Sequence, residues 1–169
     1  MNPISTAILL LLVFAGGVEA QEGGMPREGR PARAAHLSIT EDEIQWTPAP
    51  PSLPPGAQAA VLEGNPAEPG PFTLRMKLPA NYTIPPHWHP ADEHVTVMAG
   101  TFSMAAGEKW DEAALKDLPP GGFAVMSAGT RHYAMTKSGA TLQLHGIGPW
   151  GITYVNPADD PRNAKPVGK

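Results

Sequence analysis

Apolar and polar residues alternate most cleanly where Phe72, Leu74, Met76 and Leu78 are interleaved with Thr73, Arg75 and Lys77. Side chains of an extended chain point by turns to the two faces of a sheet, so this stretch predicts a half-buried strand. The same period returns over residues 141–147, where Leu142 and Leu144 oppose Thr141, Gln143 and His145. Shorter apolar runs predict further strands over residues 58–62, 82–84, 94–98, 101–105, 123–126, 133–136 and 152–155. The 101–105 run follows Gly100 and reads as the hairpin partner of the strand before it. Residues 37–46 suggest short strand pieces around the acidic turn Glu41-Asp42-Glu43. TPAPPSLPPG, residues 47–56, holds five prolines in ten positions and predicts an ordered surface loop. One stretch looks helical, EKWDEAALKDL over residues 108–118, stopped by Pro119-Pro120. Many short strands at intervals of roughly ten residues, separated by Gly/Pro turns, predict an all-β antiparallel barrel or jelly roll with one short surface helix.

One stretch carries more chemistry than the others: PPHWHPADEHVTVMAG, residues 85–100. Its His-x-His spacing puts His87 and His89 on one face of a strand. Glu93 keeps the same parity and brings a carboxylate to that face. Two neutral imidazoles and a carboxylate suit a divalent metal ion such as iron, manganese, zinc or nickel, and His132 is the best downstream candidate for a further ligand. His94 is out of parity and is expected on the opposite face, as is Trp88, which lies between two inward ligands. Asp92 is expected at the surface or as an acceptor for a ligand imidazole. If the polar face of residues 141–147 turns inward, Gln143 and His145 line a substrate pocket; an outward polar face fits the same alternation.

Composition narrows the classes. With 169 residues, one folded domain is expected. Residues 5–15, STAILLLLVFA, followed by Val18-Glu19-Ala20, read as a signal peptide over 1–20 that is cleaved near Ala20. No Lys or Arg precedes the apolar run, and an uncleaved N-terminal anchor is the alternative. The run is too short to span a membrane comfortably, so no stable anchor is expected after cleavage. Residues 21–35 read as a flexible leader, 36–160 as the domain, and 161–169 as a polar tail. There is no cysteine, which excludes disulfides, thiolate ligands and a Cys nucleophile. The net charge of −4, with Arg27, Arg30 and Arg33 as the one basic cluster, makes no case for nucleic acid. No Gly-rich phosphate loop and no nucleophile elbow is present.

The histidine stretch resembles the first cupin motif, G(X)5HXH(X)3–4E(X)6G, running from Asn81 through His87, His89 and Glu93 to Gly100. The second motif, G(X)5PXG(X)2H(X)3N, is matched by Gly121, Ser127, Gly129, His132 and Thr136. Asn81 replaces a glycine, Ser127 a proline and Thr136 an asparagine. None of these departures removes a ligand, and Asn tolerates left-handed φ better than other non-Gly residues. More narrowly, HWHPADEHVTV, LPPGGFAVMSAGTRH and GPWGITYVNPADDP make the chain similar to the small cupins like the C-terminal domain of the ChrR anti-sigma factor. The resemblance implies a double-stranded β-helix, one divalent metal held by His87, His89, Glu93 and His132, and a homodimer. It also implies an oxidoreductase of dioxygenase type acting on a small organic molecule, with Glu93 as ligand or general base. A non-catalytic module that binds or senses a metal or small ligand is the competing expectation. Export to the periplasm or beyond follows from the signal peptide.

Overall fold

A computed structural model describes residues 36–164. The expected signal peptide, the leader and residues 165–169 lie outside the described residues. The unit that begins at Ser38 contains eleven strands: β1 (Thr47–Pro48), β2 (Gln58–Glu63), β3 (Gly70–Leu78), β4 (Tyr82–Trp88), β5 (Glu93–Gly100), β6 (Phe102–Ala106), β7 (Lys116–Leu118), β8 (Phe123–Met126), β9 (His132–Thr136), β10 (Ala140–Gly148) and β11 (Thr153–Tyr154). They form two antiparallel sheets, ordered β1-β2-β3-β10-β5-β8 and β11-β4-β9-β6-β7. The sheets pack face to face as a jelly roll, and no helix of the described residues is long and apolar enough to cross a membrane.

The core sits between the sheets. Phe72, Leu74, Met76 and Leu78 of β3 are all buried, as the alternation predicted. Val95 and Val97 of β5 and Leu142 and Leu144 of β10 extend that apolar floor. Tyr82 and Ile84 of β4, Phe102 and Met104 of β6, and Ala134 of β9 face them from the other sheet. Asn81 takes the left-handed turn before β4, at φ 59°, where the motif has a glycine.

Three expectations are corrected. β6 does not pair with β5; it crosses to the other sheet and pairs with β7 and β9. Gly100 allows that crossing, because its φ is +74° and a Cβ there would lie 2.1 Å from the Gly139 carbonyl oxygen. Residues 108–118 form no α-helix. They hold one 3-10 turn, Glu112–Ala114, and then β7. Asp111 is pinned in extended backbone, since the Tyr133 hydroxyl donates to its carbonyl at 2.9 Å and accepts its N–H at 3.2 Å. Eleven residues, six of them charged, gain too little from helical propensity to overcome that anchor and the nucleation cost. The stretch around Glu41–Glu43 is a 3-10 turn followed by the buried Ile44, and among the described residues no strand precedes β1.

The proline-rich loop after β1 does more than cover surface. Leu53 packs on the core, and the Tyr82 and Tyr154 hydroxyls donate to the Pro54 and Ser52 carbonyls. Burial pushes the Tyr82 hydroxyl up to about 12 and raises that of Tyr154 too, so both remain donors. Prolines restrict the loop before it docks, and two tyrosines hold it across the open end of the sandwich.

Candidate metal centre

His87 is the last but one residue of β4 and His132 opens β9, and the two are directly opposed in the ladder. Their rings lie 4.1 Å apart between centroids. His89 follows β4 by one residue, with its ring 5.0 Å from His87 and 5.2 Å from His132. One ligand nitrogen from each of the three histidines falls within 4.8 Å of the others, and all three residues are buried. The fourth expected residue arrives by a different route. Glu93 opens β5 in the facing sheet, so its carboxylate reaches the histidines across the sandwich rather than along their strand. Its Oε1 is 3.6 Å from His89 Nε2 and its Oε2 is 3.2 Å from His132 Nε2.

A bulge aims the histidines inward. Tyr82 and Ile84 face the core, and plain alternation would then turn Pro86 and Trp88 inward and both histidines out. The ladder instead slips by one residue between Ile84 and His87. The bulge falls on Pro85-Pro86, which have no N–H to lose from the ladder. Trp88 points away from the centre, with the Arg131 guanidinium 5.5 Å from its ring.

The imidazole protons are placed by backbone carbonyls. His87 Nδ1 lies 2.7 Å from Pro85 O, His89 Nδ1 2.7 Å from Gly151 O, and His132 Nδ1 2.9 Å from Thr130 O. A carbonyl can only accept, so each Nδ1 carries the hydrogen and each Nε2 keeps a lone pair. His89 Nε2 and His132 Nε2 are buried with no hydrogen-bond partner. Three lone pairs and a carboxylate thus converge in a site closed to water. That arrangement is unfavourable alone and well matched to a cation, and its donor set suits a divalent transition metal.

The electrostatics agree. Burial, with smaller contributions from His132 and His89, pushes the His87 imidazole down to about 3. Burial lowers His89 as well. Burial alone would raise the Glu93 carboxyl, but the contact with His132 and the fields of His89, His132 and His87 outweigh it and hold Glu93 below its ordinary value. His87 and His89 are therefore held neutral and Glu93 ionised, the protonation states that ligate metals.

The cluster closes one end of a cavity of about 370 Å³ between the sheets. Leu74, Met76, Leu142 and Leu144 line its floor, Ile84 and Phe102 its roof, and Leu53 of the proline-rich loop its mouth. The expectation that Gln143 and His145 line it fails. They occupy the outer face of β10, because Leu142 and Leu144 take the inner one. Gln143 accepts a hydrogen bond from Arg75 Nε at 3.1 Å. His145 is exposed and stacks on His94 of β5, with centroids 4.8 Å apart. Asp92 does not meet an imidazole; its Oδ1 accepts from Ala128 N at 2.8 Å, while His89 O accepts from Gly129 N. These two bonds fasten the turn before His132 to the first histidine pair.

Sequence reasoning missed Trp150. Its ring stacks on His89 at 4.3 Å with an interplanar angle of 18°, and Phe72 packs 5.7 Å from it. Its neighbour Gly151 supplies the carbonyl that orients His89. The only signal was an aromatic residue in a Gly-Pro-Trp-Gly break after a strand, which marks a turn and not a site.

Among curated proteins no match was found. Solved structures show the same fold at low identity. One is a candidate acetylacetone dioxygenase from Methylibium petroleiphilum, with 21% identity over 79% of this chain and 90% of that one, at a TM-score of 0.58. The polyketide cyclase RemF from Streptomyces resistomycificus aligns over 75% of this chain and 89% of its own at 14% identity and a TM-score of 0.60. A cupin-superfamily sugar phosphate isomerase from Silicibacter pomeroyi aligns over 70% and 81% at 18% identity and a TM-score of 0.53. The family model of the ChrR cupin-like domain matches residues 34–145, more than half of the chain. The protein belongs to the ChrR cupin-like family of cupins.

Proposed function

We propose that this protein is an exported, metal-dependent cupin that acts on a small organic molecule as an oxidoreductase of dioxygenase type. The observation that carries the reading is the convergence of three unprotonated Nε2 atoms and the Glu93 carboxylate at the closed end of an apolar cavity. His87, His89 and His132 would hold a divalent iron, manganese, zinc or nickel ion, with Glu93 as the anionic ligand. When bound, such an ion supplies Lewis-acid polarisation of a substrate oxygen and, if redox-active, electron transfer. Fold neighbours named as a candidate dioxygenase and a polyketide cyclase are consistent with chemistry on small organic molecules in such a cavity.

The chain's own residues do the rest. Pro85, Gly151 and Thr130 carbonyls fix the tautomers, so no imidazole needs to reorient to bind. Glu93 is the one carboxylate among the described residues that line the cavity, and it is ionised, so when it is off the ion it is the group that accepts a proton from an acidic C–H or O–H at Oε1 or Oε2. The loop fastened by Tyr82 and Tyr154 keeps water out. The apolar run at 5–15 supports export. On β8, an edge strand of its sheet, Phe123 and Val125 are exposed, which supports pairing of two copies on that side.

The test is oxygen uptake by the iron-loaded protein across enolisable dicarbonyls, catechols and organic acids. Uptake with at least one class, abolished by Glu93→Gln, supports the reading. A metal-loaded protein that consumes no oxygen and turns over none of them refutes catalysis and leaves a binding module.

A further inference from the structure

We infer that the cavity takes a compact apolar molecule whose polarity is confined to one end, the end closed by His87, His89 and Glu93. This rests on the proposed function only for what is done to the molecule; the lining itself says what fits. Along most of its length the cavity offers Leu74, Met76, Leu142, Leu144, Ile84 and Phe102. Among the described residues no Lys or Arg lines it, and Glu93 is its one charged side chain. The cations of β3 are on the other face. Arg75 is bonded to Gln143, and the Lys77 ammonium sits 4.2 Å over the Trp46 ring. A phosphate, sulfate or carboxylate on the body of a ligand would be buried without a counter-charge, and the hydroxyls of a sugar would outnumber Ser52 and Asn65, the polar side chains of the lining outside the histidine end. The hydroxyls of Tyr82 and Tyr154 cannot serve, since both are already committed to the proline-rich loop. Phosphorylated and polyhydroxylated substrates are excluded on these grounds.

The polar end is set by His87, His89 and Glu93, which are buried and are part of the cavity lining. A head that carries oxygen matches that end and a hydrocarbon does not, which selects a ketone, enol, phenol or similar head.

The test uses the full chain loaded with zinc, so that binding is read without turnover, and isothermal titration of three probes with one common head. Acetohydroxamate, benzohydroxamate and 4-carboxybenzohydroxamate differ only in the body they place in the cavity. Benzohydroxamate is expected to bind about tenfold or more tightly than acetohydroxamate, and about a hundredfold more tightly than the carboxylated probe. Val61→Lys, at the 55% exposed mouth, should restore part of the binding of the carboxylated probe. Equal affinities, or preference for the carboxylated probe, overturn the inference, and so does zinc-loaded protein that binds none of the three. Failure to hold zinc overturns the metal reading instead. The metal-free chain then decides the inference, which requires 2-naphthol to bind and xylitol not to; the reverse, or neither binding, refutes it.

Discussion

Acidification should destabilise the metal-free protein well above the range where carboxylates titrate, and His87 sets the scale. Its imidazole is 3% exposed and is pushed by burial from 6.5 down to about 3. The unfolded chain therefore takes up a proton near pH 6.5, while the folded chain refuses it until near pH 3. A group whose folded value is depressed contributes stability that is complete above the unfolded value and lost as pH falls. Protons are then bound more by the unfolded state, so stability rises with pH across this window. The loss from His87 alone is about 2 kcal/mol by pH 5 and approaches about 5 kcal/mol below pH 3. His89 is lowered by burial and adds in the same direction. Glu93, held below its ordinary 4.5, adds a further loss once the pH falls through its own lower range. The assay is urea unfolding of metal-free protein at about pH 7.5, 6 and 5, compared with His87→Gln, which cannot titrate. Wild type should lose about 2 kcal/mol or more between the extremes, and the variant correspondingly less. A wild-type stability that is flat over this range, or an equal slope in the variant, would refute the buried neutral imidazole.

Four further outcomes follow from the same geometry. Gly100→Ala should cost more than about 2 kcal/mol in chemical denaturation, because φ is +74° and the new Cβ meets the Gly139 carbonyl at 2.1 Å. Asn81→Val should destabilise while Asn81→Gly is neutral or stabilising, since φ 59° suits glycine and is closed to β-branched residues. Leu144→Ala, at a buried position on the cavity floor, should cost about 2–3 kcal/mol and lower the thermal midpoint by several degrees. Tyr154→Phe removes the bond to Ser52 O and should speed amide exchange in the loop after β1 more than in β3 or β10.

The convergence of His87, His89 and His132 was legible because it depends on short spacings. His87 and His89 share a parity, and the turn ending at Gly129 sets His132 against them whatever the rest of the chain does. What alternation cannot express is partner choice and phase. β6 looked like a hairpin arm because nothing local distinguishes a two-strand turn at Gly100 from a crossing to the other sheet. The bulge at Pro85-Pro86 resets the phase of β4, and without it the inward turn of both histidines contradicts the inward turn of Tyr82 and Ile84. Alternation alone lets Gln143 and His145 face in or out; Leu142 and Leu144 claim the inner face and leave the pocket apolar. The 108–118 stretch has helical composition, yet one buried tyrosine two strands away holds Asp111 extended. Trp150 escaped notice since its importance lies in what it stacks upon, and that contact joins residues 61 positions apart in the chain.

The most direct test of the centre is the metal content of the protein purified from an exporting host, measured alongside His132→Ala. About one divalent transition-metal ion per chain, lost or sharply reduced in the variant, is the expected result. No metal in either protein, after incubation with each of iron, manganese, zinc and nickel, would contradict it.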